Sequence, residues 1–463
     1  MSFETLIDKA TESVSDPDYD SRYASTRQLD TLGLGVPPAT RVLEVSVNWC
    51  ALVVDAMAEV LNVTGFTCAT EGSDEFLRAI WSHWQRQRMG VKSAQAHIEA
   101  MIQGSGFVFV GRSADNSFNV STVRTRDGIA FEESDNVITE AVARYKAKTD
   151  SGSEVERAAY YTPDSIEVFQ LVSGRWGKVY SQVGCGFVPV IPLVNSTRFG
   201  DRFGRSDIAS VKQFADSASR SFTLLQLATE ILSMPQRWIA GGQWDNLRRP
   251  DGSRPSLIEL YTGSYMFAPN PNVKMGQFPG ADLSKVVESI KAVAEQVSAT
   301  TGLPPSMLGF SAAGNPMSAE AMRTAKERFI TRGERKQQVF GDAWAKWARV
   351  NLALDGVDKG VIEEKLNDLS VAWSDVSLPS VAARNQAILQ AHSQGILSSR
   401  TAREVLPLTP EQRKRENLRE QVTEKIGEDD LGTVSVGSVP KMKEDPDEVT
   451  PGNEDKAVEK GLR

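Results

Sequence analysis

Residues 301–347 read TGLPPSMLGFSAAGNPMSAEAMRTAKERFITRGERKQQVFGDAWAKW, and three signals in this stretch set the architecture. Gly302 and the Pro304-Pro305 pair stop whatever helix precedes them, since glycine takes the left-handed exit turn and proline cannot continue the ladder. No residue of 301–318 is charged, which leaves 303–318 as an apolar and small-residue loop. Asn315-Pro316 then supplies an N-cap with proline at the first helical position. From there Met322, Ala325, Phe329, Gly333, Phe340, Trp344, Trp347 and Asn351/Leu352 hold an apolar stripe at helical spacing, predicting one helix to about residue 354. At ~1.5 Å per residue it extends about 60 Å, with Gly333 and Gly341 as places for a bend. Eight basic and four acidic residues fall in 318–349, making this the basic element of an acidic chain. A solvated face is the plain expectation for those charges.

Upstream, Asp282 is an N-cap for a helix ending at Thr301, striped by Leu283, Val286, Val287, Ile290, Val293, Ala294 and Val297. A longer helix is predicted over 207–234, capped by Ser206 and stopped by Pro235. Its apolar residues Ile208, Val211, Ala215, Ala218, Phe222, Leu225 and Leu232 follow a heptad rhythm interrupted at Thr229. Leu224, Leu227 and Ile231 add a second apolar face, and a two-faced helix of about 42 Å needs neighbours on both sides. Between the two helices, 235–280 is rich in Gly, Pro, Trp and Tyr, with strand-like pieces RWIAG, SYMFAP and VKMGQF. The pair with its strand-bearing lobe is an out-and-back excursion. Trp238 and Trp244 in the lobe suit packing against a partner or within the lobe equally well.

The first 205 residues mix helix and strand. Helices are predicted over 45–60, 74–88 and 91–103, with Gly104 as the exit glycine and Trp81 and Trp84 as core rings. Strands are predicted over 107–110, 119–124, 141–146, 158–162, 165–171 and 178–182, with turns at Asp127-Gly128 and Gly174. The segment GFVPVIPLVNSTRFGDRFGRSDI reads as a Pro- and Gly-punctuated connector. The fold class is α+β. Beyond the long helix, 382–405 reads as a helical pair broken near Gly395. Thr409-Pro410 then caps another helix, whose RKR run at 413–415 reads as solvated surface.

The 463 residues carry a formal charge of −8, of which ten carboxylates and five basic residues in 427–463 contribute −5. That stretch has no aromatic residue, which predicts a disordered acidic tail. The body is nearly balanced, unlike a protein that binds by broad phosphate neutralisation. Cys50, Cys68 and Cys185 are too few for a disulfide framework, which favours a reducing compartment. The N-terminus lacks a signal-peptide pattern, and no stretch reads as a membrane helix, so the expectation is a soluble, intracellularly made protein. With only His83, His97 and His392, no metal-binding or catalytic spacing, no phosphate loop and no nucleophile elbow, neither metal nor cofactor is signalled, and an enzyme is not expected.

Three stretches in order, VNWCALVVDAMAEVLNVTGF, VPVIPLVNSTRFGDRFGRSDI and the 301–347 run, resemble portal proteins of tailed bacteriophages, particularly of siphophages infecting actinobacteria. The likeness covers about 1–420 and fades after Leu369. It implies a homo-oligomeric ring, typically of twelve subunits, at one capsid vertex of the virion, assembled in the host cytoplasm and passing double-stranded DNA along its axis. The implied portal fold has a mixed α/β wing at 1–205 with 319–379, stem helices at 206–234 and 281–302, and a small clip at 235–280. A channel loop lies at 303–318 with the long helix 319–355 behind it, a helical crown at 380–426 and the tail at 427–463. Implied partners are the major capsid protein at the wing, the large terminase and later the head–tail connector at the clip, and no membrane. On this resemblance Met307, Leu308, Phe310, Ser311 and Asn315 face the channel, against the alternative of a buried inter-domain turn. Lys285, Lys291 and Arg323 come near phosphates, against ordinary exposed helix charge. Val211, Ala215, Ala218, Phe222 and Leu225 form the subunit interface. An uncharged loop suits a conduit, because lysines there would grip phosphates and resist sliding. The residues leave open two alternatives, another virion structural component and a DNA-acting enzyme with an unrecognised site.

Overall fold

The computed structural model describes residues 3–30, 43–113, 117–134, 137–148, 152–195, 198, 201–233, 237–240, 253, 274–277, 282–309, 319–377, 381–399 and 402. The chain divides into two units, Met1–Leu378 and Pro379–Arg463.

The first unit begins with α1 (Phe3–Glu12), α2 (Pro17–Tyr23) and α3 (Trp49–Ala58), then β1 (Val63–Thr67), α4 (Asp74–Arg86) and α5 (Met89–Gln103). Two of these helix starts have a side-chain cap. Asp16 Oδ1 accepts the Asp18 amide at 2.9 Å to open α2, and Asn48 Oδ1 accepts the Ala51 amide at 3.1 Å to open α3. Gly104 closes α5 at φ +88°, as the sequence predicts.

Two antiparallel sheets follow. In the smaller one β2 (Ser105–Arg112) lies between β3 (Asn119–Arg124) and β9 (Val190–Val194). The larger is a meander of β4 (Ile129–Ser134), β5 (Val137–Lys148), β6 (Glu154–Tyr161), β7 (Ser165–Val172) and β8 (Arg175–Val183). The turns at Gly128 and Gly174 take φ +68° and +79° where glycine is needed. Two strands differ from the sequence reading. β4 was not expected, because Glu132 and Glu133 break its apolar pattern; Glu132 is paired to Lys9 and Arg202, each at 2.6 Å. β9 falls in the segment read as a connector. Its Pro192 is tolerated because β9 pairs only with β2 and needs no donor on its outer side. One face of the meander is covered by Leu6, Ile7 and Ala10 of α1; the other, through Phe131 and Ala143, meets Phe107 and Val190 of the smaller sheet.

The excursion starts with a 3₁₀ turn, Ile208–Ser210, before α6 (Lys212–Ser233), so the regular helix begins later than its heptad suggests. Ser206, the expected cap, does not cap α6: its Oγ accepts the Ile208 amide at 3.1 Å in the 3₁₀ turn, whose N-cap position is Asp207. Of the three strand-like pieces in the lobe, β10 (Arg237–Ala240) and β11 (Lys274–Gln277) pair antiparallel. Trp238 lies on β10, whereas SYMFAP and Trp244 lie outside the described residues. Asp282 Oδ1 accepts the Ser284 amide at 3.0 Å to open α7 (Ser284–Thr301), and Gly302 closes it at φ +82°.

The long helix, α8, runs unbroken over Ala319–Leu354. Gly333 serves close approach, since a Cβ there would stand 2.6 Å from Val376 Cγ1. Asn315-Pro316, its expected start, lies outside the described residues. The aromatic face of α8 enters the main core, where Trp344 and Trp347 each meet Trp84 edge-on at 5.3 Å. Trp81 stacks on Trp84 at 6.3 Å from a half-buried position. α9 (Lys359–Lys365) and β12 (Ser370–Trp373), which pairs with β1, complete the unit.

In the second unit α10 spans Val381–Ser393, and Gly395 follows at φ +74°. The capped helix expected after Thr409 and the acidic tail lie outside the described residues.

Candidate functional site

Three elements meet where α6 begins, α7 ends and α8 passes. α6 and α7 pack side by side. The start of α6 and the end of α7 are enclosed by their own chain. Val211, Ala215 and Ala218, assigned above to a subunit interface, are instead buried in the protomer's core with Ile208, Ala294 and Val297. The heptad is real, but a sequence period cannot say whether the covering partner is the same chain or another. Here α7 and the segment 45–47 do the covering. The Val45 and Val47 amides donate at 2.9 Å to the hydroxyls of Thr223 and Ser219, which themselves donate to carbonyls one turn back. Arg22 adds a bidentate pair to Asp216 at 2.7 and 3.0 Å. Past Thr223 this cladding ends. Phe222 and Leu225 are half-buried, Leu224 is 37% exposed, and Val287 on α7 is 48% exposed.

After Gly302 the chain makes a 3₁₀ turn, Pro305–Leu308. Leu308, expected in a channel, is only 5% exposed and packs in the main core, because the turn folds it inward. Met307 beside it is 38% exposed. Phe310, Ser311 and Asn315 lie outside the described residues. Lys285 and Lys291 are exposed on α7, Lys285 with Glu288 at 3.2 Å. Arg323 stands in the first turns of α8.

Sequence reading missed the basic residues that matter to this junction. Arg328, Arg332 and Lys336 stand at i, i+4 and i+8 on α8. Arg328 donates to the Ala299 carbonyl, and Arg332 donates to Thr300 and Thr301 at 3.1 and 2.7 Å. Those are last-turn carbonyls of α7, which have no partner within their own helix. Lys336 is buried against Asp207 at 2.9 Å and also donates to Asn195 Oδ1. Burial pulls the Lys336 ammonium below its ordinary value, with Asp207 opposing that pull. Asn195 Nδ2 completes the node by donating to Asp207 Oδ1 at 3.2 Å and to the Arg205 carbonyl at 2.8 Å. A signal for this set did exist: like charges spaced four apart on one helix face repel, so such a row calls for acceptors from elsewhere.

Two other clusters serve packing. His97 is fully buried and accepts from Trp344 Nε1 at 2.9 Å; burial and the nearby Lys336 charge push it down to about 3, so it stays neutral. At the far end of α8, Gln87 bridges Asn351 at 2.7 Å and Ser121, while Asn119 donates to Asp355 at 3.0 Å. A cavity of about 250 Å³ between β9, α8 and α9 has apolar walls, and its Lys346 and Lys359 already face Glu133 at 3.1 Å and Glu363 at 3.7 Å. Among the described residues no group of three or more His, Cys, Asp or Glu side chains could hold a metal ion, and no helix is long and apolar enough to cross a membrane.

Comparison with known proteins gives consistent matches. The sequence profile of a family described as "Phage portal protein, SPP1 Gp6-like" matches residues 37–428. The portal protein of Mycobacterium phage D29 is 30% identical over 394 residues, covering 83% of this chain and 80% of that one. The portal protein of Mycobacterium phage L5 is 28% identical over 452 residues, covering 95% and 91%. Among solved structures, a chain in the virion of a native gene transfer agent particle aligns with a TM-score of 0.42 at 15% identity, covering 85% of this chain and 99% of that one. A chain in the neck of the empty particle, computed with C6 symmetry, aligns with a TM-score of 0.43 at 15% identity, covering 86% and 96%.

Proposed function

Since this chain belongs to the SPP1 Gp6-like family of phage portal proteins, we propose that its α6–α7 pair is the stem of a portal ring at one capsid vertex. The family gives the ring and its role as a conduit for phage DNA. The finer reading assigns 1–205 with 319–379 to the wing, 235–280 to the clip, 303–318 to the channel loop and 380–426 to the crown. Twelve subunits is the proposed count. The major capsid protein is the proposed partner of the wing, and the large terminase and then the head–tail connector are the partners of the clip. The portal supplies geometry, and the energy for DNA movement comes from a separate motor.

The observation that carries this reading is the exposure pattern of the stem. A ring joins copies through two different faces of each subunit, so each must leave apolar surface uncovered by its own chain. Leu224 and Leu225 on α6 and Val287 on α7 supply it beyond the point where the protomer's own cladding stops, with half-buried Phe222 just before that point. Met307 and the residues 310–318 remain the candidates for the channel, with Leu308 withdrawn from it. Lys285 and Lys291, both exposed, remain the candidates for phosphate proximity, together with Arg323.

Mass measurement of the purified full chain tests the assembly, joined to averaged end-on images. A closed ring of about twelve copies with a hole wide enough for duplex DNA is the expected result. A monomer or dimer under all conditions refutes it.

A further inference from the structure

The Arg328–Arg332–Lys336 row touches both strands of the excursion at their wing-proximal ends. Arg328 and Arg332 bind the carbonyls of Ala299, Thr300 and Thr301, the last residues before Gly302 and the uncharged loop. Lys336 holds Asp207, which precedes the 3₁₀ turn leading into α6, and Arg332 stands 3.7 Å from the same carboxylate. The backbone is fitted to this contact: a Cβ at Gly302 would lie 3.1 Å from Arg328 Cγ and 3.2 Å from the Phe329 amide nitrogen. The loop's far end is α8 itself. Both roots of the loop are therefore fixed to one helix, about ten residues or ~15 Å apart along its axis.

From this geometry we infer that Arg332 is a positioning residue for the channel loop, acting with Arg328 and Lys336 as one joint between the stem and the long helix. The inference rests on the portal reading for what the loop does, but the joint itself is a matter of contacts within one chain. Arg332 is its centre because its planar fork reaches two adjacent carbonyls and a carboxylate at once. Lysine carries the same charge but only a point donor, so it cannot hold both carbonyls in a fixed plane. A last helical turn with unsatisfied carbonyls frays, and fraying at 299–301 moves the loop's first root while the second stays in place. Residues 303–318 carry no charge that could form an ion pair, so this joint sets where the loop's first root stands.

The test uses the full chain with Arg332→Gln and Arg332→Lys, read by hydrogen exchange on the assembled particle and by DNA retention in heads built with each variant. Arg332→Gln is expected to speed exchange in 296–309 at least tenfold, leave 137–183 unchanged, keep the ring's mass, and lower DNA retention. Arg332→Lys is expected to fall between the two in both readouts. Unchanged exchange in 296–309 for Arg332→Gln overturns the joint. Faster exchange with normal DNA retention overturns the positioning role while leaving the ring reading intact, and failure of the wild-type chain to form a ring overturns the reading instead. If Arg332→Gln does not fold, Arg328→Gln, which removes one exposed donor to Ala299, takes its place, and the same two results overturn the joint or the positioning role.

Discussion

Replacing Lys336 by methionine isolates the buried half of the stem joint. Lys336 and Asp207 are both buried, 2.9 Å apart, and methionine keeps most of the length of the lysine stem while removing the charge. Breaking a buried pair by deleting one partner costs about 3–5 kcal/mol, mostly the cost of an uncompensated buried charge. Asp207 would keep a hydrogen bond from Asn195 at 3.2 Å and the Arg332 guanidinium at 3.7 Å, which places the loss near the lower end, about 3 kcal/mol. Adding Asp207→Asn removes the stranded charge while leaving an oxygen for Asn195, so the double variant should recover to within about 1 kcal/mol of wild type. Trp84, Trp344 and Trp347 lie in the adjoining core, so urea unfolding followed by tryptophan fluorescence reads the change as a midpoint shift at common slope. A single variant within about 1 kcal/mol of wild type would refute the reasoning, because the pair would then behave as an exposed one. A double variant no more stable than the single would refute it too.

Leu224→Glu together with Val287→Glu should stop ring formation, leaving a protomer with a native far-ultraviolet spectrum; size-exclusion chromatography with light scattering checks this, and an intact ring counts against the stem interface. Deleting 310–318 should leave assembly unchanged and impair DNA packaging, whereas a deletion that also takes Leu308 should lower the thermal midpoint, since that side chain packs in the main core. Glu99 gives a pH test. Burial first, then the charges of Asp20 and Asp127, raise its carboxyl from 4.5 to about 7. The folded state therefore holds its proton more tightly than the unfolded one, and stability is lost as pH rises through that window. Glu99→Gln should accordingly raise the thermal midpoint at pH 8 and have little effect at pH 4; an equal shift at both contradicts the assignment.

Legibility in the sequence followed the range of the interactions. Gly104, Gly128, Gly174 and Gly302 were readable because an exit or turn needs φ above zero at one residue. The helix over 284–301 and the end of α8 at Leu354 were readable from local stripes and stops. β4 and β9 were not, because their reasons lie elsewhere: Glu132 is neutralised from α1 and from residue 202, and Pro192 is acceptable only because of its place at a sheet edge. The site divides in the same way. The apolar heptad of α6 was visible, yet its first half is satisfied by residues 45–47 and α7, partners far away in the sequence. The charges of α8 looked like a solvated face, but Arg328 and Arg332 supply donors to last-turn carbonyls of α7 and Lys336 to Asp207; the like-charge spacing signalled a need for acceptors without saying which.

The division of the stem into a clad half and an open half bears on how a ring of such chains closes. From Ile208 to Thr223 the first stem helix is bonded to its own protomer, and from Ile290 onward the second is too. On the proposed stem reading, contacts between copies fall toward the clip side, where Leu224 and Val287 are open. On that reading the Arg332 and Lys336 contacts to Thr300, Thr301 and Asp207 set, within each chain, the angle at which that open surface meets the next copy. In a closed ring an angular error repeats at every subunit, so a weak interface cannot correct a loose joint. Buried, multiply bonded polar groups are suited to this task, because they fix one geometry where an apolar contact would tolerate several. The same bonds hold the C-terminal end of α7, so on the proposed reading they tie the root of the channel loop to the angle that closes the ring.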